Sequence, residues 1–168
     1  MSNEQREYAL IKHLRTLKQQ GNRASLAALR RGLSTPDSAE VLREVLPYVS
    51  SQYAQDESMY ILVAALFTTH SEETLGQSLG SAMRRVNESS ESGSIEQRFV
   101  ALLDADREQV TVHLRHAIQL CQSRNIGLDY NLLLRHMLLW NAPQRWTQLQ
   151  WAREFWGKGQ RDGEDSSN

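Results

Sequence analysis

The sequence lacks the features of secreted, disulfide-stabilised and membrane-embedded proteins. Only one of its 168 residues, Cys121, is a cysteine, so no disulfide can form within the chain. No stretch approaches the roughly 18 consecutive apolar residues of a transmembrane helix. Residues 1–5 lack the basic start and apolar segment of a secretory signal. We therefore expect a cytoplasmic protein.

The alternation typical of β-strands is equally scarce, because it does not continue beyond Val110-Thr-Val112. Apolar residues instead recur at helical spacing along most of the chain. Hydrophobic residues make up 40% of the sequence and charged residues 23%, which is ordinary for a globular protein with a core. The sequence therefore predicts an all-α protein.

The apolar pattern divides the chain into two parts. About five short helices are predicted in residues 1–86 and about four in residues 95–157. The intervening segment 87–94 is polar and has nothing to bury, so it is predicted to be a linker. The tail 158–168 is predicted to be disordered. We expect two small helical bundles, an N-terminal and a C-terminal one, joined by this polar linker.

The fifth predicted helix has the clearest terminal signals. Ser71 is predicted to cap it, with Glu72 and Glu73 in its first turn and Arg84 and Arg85 in its last. This order of charges complements the helix dipole. Its predicted buried face comprises Leu75, Leu79, Ala82, Met83 and Val86.

Three further helix starts are predicted in the second half. Ser94 with Gln97 matches a capping box, and Asp106 with Gln109 offers a second N-cap. Pro143 is predicted to begin the last helix.

Two features could be interpreted as catalytic. Gly76-Gln-Ser78-Leu-Gly80 matches the G-x-S-x-G pattern of hydrolases, in which a strand turns sharply into a helix and exposes the serine. No strand is predicted before this segment, and the glycines would instead allow close helix packing. Asp104 and Asp106 could form a catalytic or magnesium-binding pair, but cap positions explain them more simply. We therefore expect no catalytic residue and a protein that is not an enzyme.

Histidines and the cysteine do not supply a metal site. His113 and His116 lie one helical turn apart, Cys121 follows on the same predicted helix, and His136 lies elsewhere. A zinc site needs about four convergent ligands, and histidines three residues apart provide two. We expect no bound metal and no cofactor. Four tryptophans cluster near the C-terminus: Trp140, Trp146, Trp151 and Trp156. Aromatic rings can stack on exposed bases, but several of these are predicted to fill the core of the second bundle.

Charge is distributed unevenly, although the formal net charge is only −1. Residues 1–31 carry seven basic and two acidic groups, and residues 32–93 carry three basic and nine acidic groups. Arg107 and Arg115 are eight residues apart on one predicted helix, and Arg30 and Arg31 end another. These arginines can be interpreted as a surface that binds a phosphate backbone, or as a solvated polar face.

Several segments resemble one family. Ser94-Ile-Glu-Gln-Arg-Phe-Val-Ala-Leu-Leu-Asp-Ala-Asp-Arg107, followed by Val112-His-Leu-Arg-His-Ala117, resembles the small subunit of the type I-E CRISPR surveillance complex, Cascade. This family is called CasB. Further similar pieces occur in the same order: Leu29-Arg-Arg31, Leu62-Val-Ala-Ala-Leu66, Leu75-Gly-Gln-Ser-Leu79, Leu138-Leu-Trp-Asn-Ala-Pro143 and Trp151-Ala-Arg-Glu-Phe-Trp-Gly157.

The resemblance implies an all-α, non-catalytic subunit of an antiviral ribonucleoprotein complex. It implies as partners CRISPR RNA, the opened target DNA, the Cascade backbone and large subunits, and a second copy of the chain. The family's basic positions correspond to Arg31, Arg98, Arg107 and Arg115, and Arg30 lies beside the first of them. Where members often carry a basic residue within the Gly-x-x-Leu segment, this chain has glutamine, and Arg84 and Arg85 follow a few residues later.

Two other classes of protein remain open on the residues alone. A helical adaptor that binds only proteins would show no salt-dependent nucleic-acid binding. A small hydrolase would lose its activity when Ser78 is changed.

Overall fold

The computed structural model describes residues 8–51 and 53–158, and its regular elements in these ranges are helical. Five α-helices precede residue 89 and four follow residue 93, which confirms the all-α prediction. Residues 1–7, with Arg6 of the basic N-terminal segment, lie outside the described residues, as do residues 159–168 of the tail predicted to be disordered. The helices are α1 (Ala9–Gln20), α2 (Arg23–Arg30), α3 (Ala39–Val45), α4 (Ala54–Thr69), α5 (Leu79–Glu88), α6 (Ser94–Asp104), α7 (Val110–Ser123), α8 (Tyr130–Leu138) and α9 (Trp146–Trp156).

Helix α4 lies at the centre of the fold. Every residue from Met59 to Phe67 is buried, as expected for a helix that is apolar on all sides. It packs against α1, α2 and α3 and also against α7 and α8. Because α5 likewise packs against α9, helices from both predicted bundles share one connected cluster of buried residues. The division into two bundles stays a prediction; the predicted linker 87–94 overlaps the connection of residues 89–93 between α5 and α6.

The close approach of α5 and α9 depends on Gly80. A Cβ added there would lie 2.7 Å from the Cα atom and 2.9 Å from the carbonyl oxygen of Trp151. Only a residue without a side chain lets the two backbones come this close. The predicted role of the glycines in helix packing is therefore confirmed at Gly80.

The predicted start of the fifth helix is wrong. Helix α5 begins at Leu79, and its N-cap is Ser78, whose side chain accepts a hydrogen bond from the Ser81 amide. Ser71 does not cap it, because the chain first passes through a turn in which Gly76 has a φ of +78°. Leu75 lies in that turn and is 81% exposed, whereas the other predicted core residues of this helix are buried.

Residues 72–78 are held by backbone contacts with the segment before α8. The Thr74 amide donates to the Leu128 carbonyl, and the Leu128 amide donates to the Glu72 carbonyl, both at 3.1 Å. The Glu73 carboxylate accepts hydrogen bonds from Nε and Nη2 of Arg15, each at 2.9 Å. Glu73 therefore joins this connection to α1 and does not lie in the first turn of a helix.

Other predicted helix starts differ in outcome. The Gln109 amide donates to the Asp106 carboxylate at 2.8 Å, which confirms the Asp106 cap before α7. The capping box at Ser94 is wrong, because Ser94 is already the first residue of α6 and no side chain caps this helix. Pro143 does not begin the last helix either. Helix α9 begins at Trp146, after Arg145 has taken a left-handed conformation with a φ of 54°.

The tryptophans divide into a buried and an exposed pair. Trp140 and Trp151 are buried, and their indole nitrogens donate to the Ala105 carbonyl and to Nδ1 of His136. Trp146 and Trp156 are 59% and 48% exposed. The prediction that several of the tryptophans fill the core is therefore confirmed for Trp140 and Trp151, and Trp146 and Trp156 lie outside the core. Within the part of the chain that the structure describes, we find no helix that is long and apolar enough to span a membrane.

Candidate nucleic-acid interface

Three of the predicted arginines line one groove. Arg30 ends α2, Arg31 begins the 3-10 turn that follows it, and Arg115 lies on the exposed side of α7. The groove between them has a volume of about 640 Å³. We call this groove, lined by Arg30, Arg31 and Arg115, the α7 basic groove. Residues far apart in sequence thus meet on one surface.

The packing of Gly32 positions these arginines. Gly32 is buried, and a Cβ there would lie 3.2 Å from a methyl carbon of Ile61. The turn after α2 therefore sits directly on α4, which leaves Arg31 exposed beside Glu40, its ion-pair partner. Arg30 donates through Nη2 to the Thr68 carbonyl at 2.9 Å, at the C-terminal end of α4.

Arg115 is the most available of the three. It is exposed, and among the described residues no acceptor hydrogen-bonds its guanidinium group. Gln119 lies one turn further along α7 and lines both this groove and a second one, of about 780 Å³, on the same helix. Arg98 on α6 lines that second groove together with His113 and His116. The basic surface therefore extends across α7 to Arg98.

Arg107 does not lie on the same helix as Arg115, so that part of the prediction is wrong. The Asp106 cap delays the start of α7 to Val110, and Arg107 belongs to the preceding turn. Its guanidinium group donates to the Gln55 carbonyl and lies 3.7 Å from the Asp56 carboxylate. The side chain is only 21% exposed. Arg107 thus joins the start of α7 to the start of α4.

Arg84 and Arg85 lie on a different face, between α5, α8 and α9. Arg84 donates through Nη1 to the Gly157 carbonyl at 2.9 Å, beyond the C-terminal end of α9. Arg85 donates to the Gln77 side-chain oxygen at 3.2 Å. Both line a groove of about 970 Å³. We call this the α9 basic groove, and its cationic residues are Arg84, Arg85, Arg135, Arg153 and Lys158.

The last three of these cations are not among the basic residues predicted from the sequence. Arg135 and Arg153 lie on separate helices, so nothing in their spacing indicates that they share a groove. Their positions could have indicated that Arg135 and Arg153 are exposed, because each is a polar residue in a helix whose buried face is apolar.

A buried histidine contacts the wall of the α9 basic groove. Burial in the first place, and the nearby positive charge of Arg135 in the second, lower the pKa of His136 to about 4, while Asp129 acts in the opposite direction. The Trp151 indole donates to Nδ1 of His136 at 3.0 Å. Because indole N–H can only donate, Nδ1 must be the unprotonated nitrogen of a neutral ring.

Two of the candidate catalytic and metal-binding residues, Ser78 and Cys121, are buried. Ser78 is 2% exposed, and its hydroxyl donates to the Glu154 carboxylate. Cys121 is buried, which raises the pKa of its thiol to about 12. Among residues 8–51 and 53–158, no three histidine, cysteine, aspartate or glutamate side chains are grouped so that they could hold a metal ion.

The chain is similar to known proteins of one family. Residues 25–156 match the sequence model of a family described as CRISPR-associated protein Cse2. A CRISPR-associated protein Cse2 from Thermus thermophilus is 36% identical over 143 residues, which cover 81% of this chain and 80% of that protein. The crystal structure of CasB from Thermus thermophilus is 33% identical and superposes with a TM-score of 0.78, covering 94% of this chain and 100% of that one.

The fold also occurs in a larger assembly. A chain in the structure of a CRISPR RNA-guided surveillance complex superposes with a TM-score of 0.70 at 24% identity. The superposition covers 88% of both chains.

Proposed function

This chain belongs to the family of CRISPR-associated Cse2 proteins, and from that premise we propose that it is the non-catalytic small subunit of a type I-E CRISPR RNA-guided surveillance complex, Cascade. In this role it acts in the cytoplasm in antiviral defence. Its arginine surface holds the backbones of CRISPR RNA and opened target DNA and so stabilises the R-loop.

The observation that carries the proposal is the convergence of Arg30, Arg31 and Arg115 in the α7 basic groove. Guanidinium groups bind phosphate oxygens in a bidentate manner, and they do so without reading bases. Arg98 continues this basic surface on the other side of α7. Arg107 contributes indirectly, because its contact with Asp56 fixes the start of α7 against α4.

The mechanism assigns sequence recognition to base pairing between guide RNA and target strand. Exchange of a DNA duplex for an RNA–DNA duplex is nearly balanced in free energy. A small number of arginine–phosphate contacts therefore suffices to shift it toward the open state. A catalytic group is unnecessary for this role, and the buried, hydrogen-bonded Ser78 is in keeping with it.

Protein subunits of the complex need a separate contact surface. Val100, Leu149 and Trp156 are each more than 40% exposed and line a small groove between α6 and α9. Clustered exposed apolar side chains of this kind are typical of protein interfaces. We assign this groove to contact with the protein partners that the resemblance implies: the backbone and large subunits of Cascade and a second copy of the chain.

The test is binding of single-stranded RNA and DNA by the purified full chain across a salt series. One variant carries glutamine in place of all three arginines of the α7 basic groove. A matched control removes three exposed positive charges that line neither basic groove: Lys12, Arg23 and Arg43.

We expect the groove variant to bind more weakly and with a shallower salt dependence. Each lost phosphate contact should reduce the slope of log K against log salt by about 0.7 for a single strand, hence by about 2 for three contacts. The control should keep the wild-type slope. Equal slopes for the groove variant and the wild type would contradict the proposal and favour a helical adaptor that binds only proteins.

A further inference from the structure

The α9 basic groove carries a concentration of positive charge that the proposed function does not use. Its wall contains five cationic side chains and one carboxylate, that of Glu154. This carboxylate is already bonded, because it accepts hydrogen bonds from the hydroxyl of Ser78 and from Nε2 of Gln150. Within the described residues, no hydrogen bond or ion pair engages the charged groups of Arg135, Arg153 and Lys158. Three cations are therefore available to an anionic ligand.

The same groove contains an exposed aromatic ring. Trp146 is 59% exposed and begins α9, directly after the left-handed turn at Arg145. Among the described residues its ring forms no aromatic pair and its indole nitrogen no hydrogen bond. A solvent-exposed tryptophan beside unpaired cations is the combination used by proteins that bind single-stranded nucleic acids.

The α7 basic groove has no such ring. Its lining consists of arginines, small or aliphatic side chains, and polar residues such as Thr69, Gln119 and Gln122. It can hold phosphates but offers no platform for a base. The two grooves therefore differ in the part of a nucleic acid that they can contact.

We propose that the α9 basic groove is a second nucleic-acid site, specific for single strands, in which an unpaired base stacks on Trp146 while Arg135, Arg153 and Lys158 bind the flanking phosphates. The inference rests on the proposed function, since it takes nucleic acid as the ligand of this protein. A base inside a duplex is stacked on its neighbours and cannot also stack on Trp146. The site thus selects unpaired strands, whereas the α7 basic groove accepts any backbone.

The experiment measures fluorescence anisotropy of a labelled oligothymidylate of about 15 nucleotides, within the span of one single-strand site, titrated with the purified full chain. The key variant is Trp146→Leu, which removes the ring and leaves every charge in place. The matched control is Tyr53→Leu, because Tyr53 is an aromatic residue that is 65% exposed and lines neither basic groove. The helical circular dichroism of both variants is compared with the wild type first.

We expect Trp146→Leu to weaken binding of oligothymidylate by about fivefold or more, since stacking of one base contributes about 1–3 kcal/mol. The salt slope should stay unchanged, because no charge is removed. An abasic strand of the same length should bind the wild type and Trp146→Leu equally. Arg153→Gln should lower the salt slope by about 0.7 for either strand. Tyr53→Leu should bind like the wild type.

Equal affinity of Trp146→Leu and the wild type for oligothymidylate would overturn the proposal. So would an equal loss on the abasic strand, since stacking needs a base. An acidic polypeptide that competes fully with oligothymidylate, and equally well in both proteins, would identify an anionic protein segment as the ligand instead. If the α7 groove variant loses binding while Trp146→Leu and Arg153→Gln do not, this second site is refuted and the proposed function still stands.

Discussion

The protonation of His136 is predicted to control stability in mild acid. This residue is 4% exposed, and its Nδ1 accepts a hydrogen bond from the Trp151 indole at 3.0 Å. Protonation would place an N–H group opposite the indole N–H, and it would create a buried cation near Arg135. Burial in the first place, and Arg135 in the second, therefore lower the pKa of His136 in the folded protein from 6.5 to about 4.

The sign and size of the effect follow from linkage. In the unfolded chain His136 has its ordinary pKa of about 6.5. Between that pH and about pH 4, the unfolded state therefore binds a proton at His136 that the folded state does not bind. The contribution of neutral His136 to the free energy of unfolding is fully present above about pH 6.5 and is lost progressively as the pH falls toward about 4. At about pH 5 the free energy of unfolding should be lower by about 2 kcal/mol than at about pH 7.5, from this residue alone.

The measurement is urea unfolding, followed by circular dichroism, at about pH 7.5 and about pH 5. The comparison variant is His136→Asn, whose side-chain oxygen can accept from Trp151 but does not titrate. His13, whose pKa is lowered mainly by burial, is present in both proteins and cancels in the comparison. We expect the wild type to lose about 2 kcal/mol more than His136→Asn between the two conditions. Losses that agree to within about 0.5 kcal/mol would refute the reasoning.

Three further predictions concern packing and burial. Gly80→Ala should lower the free energy of unfolding, measured by urea titration, by about 1–2 kcal/mol, because the new methyl group meets backbone atoms of Trp151. The higher helix propensity of alanine offsets only part of that cost. Arg107→Met should lower the free energy of unfolding by about 1–2 kcal/mol, since it removes the cation beside Asp56 and the donor to the Gln55 carbonyl. A melting temperature equal to that of the wild type would contradict this prediction. Cys121 should not react with a thiol reagent at neutral pH until urea unfolds the protein, because burial raises its pKa to about 12; fast labelling of the native chain would show that assignment to be wrong.

The helix boundaries show where local sequence signals succeed. Gly21 ends α1 in a left-handed conformation, and Asp106 caps the turn that leads into α7, as their residue types predict. The predicted cap at Ser71 is wrong for a physical reason. A serine followed by two glutamates can begin a helix when only the local sequence is considered. Here the backbone after it pairs instead with Leu128, more than fifty residues away along the chain. Long-range pairing of this kind leaves no trace in a local pattern.

The family was recognisable from short segments of the second half, and the match of residues 25–156 to the Cse2 family confirms that resemblance. The candidate basic residues were recognisable as types but not as a surface. Arg31 and Arg115 share a groove, whereas Arg107 contacts Asp56 and Arg84 contacts the end of α9. The presence of an arginine in the sequence does not show whether its side chain faces solvent or donates a hydrogen bond to a carbonyl oxygen.

The sequence by itself determined the helical class, the approximate number of helices and the family, because these depend on apolar periodicity and on local motifs. Only the tertiary structure decided which cations lie together and which tryptophans are exposed. Trp146 and Trp151 are five residues apart in one helix, yet the first lines a basic groove and the second is fully buried beside Gly80. The difference comes from how α9 crosses α5 and α8, and that crossing is set by contacts between distant segments, which periodicity within one helix does not encode.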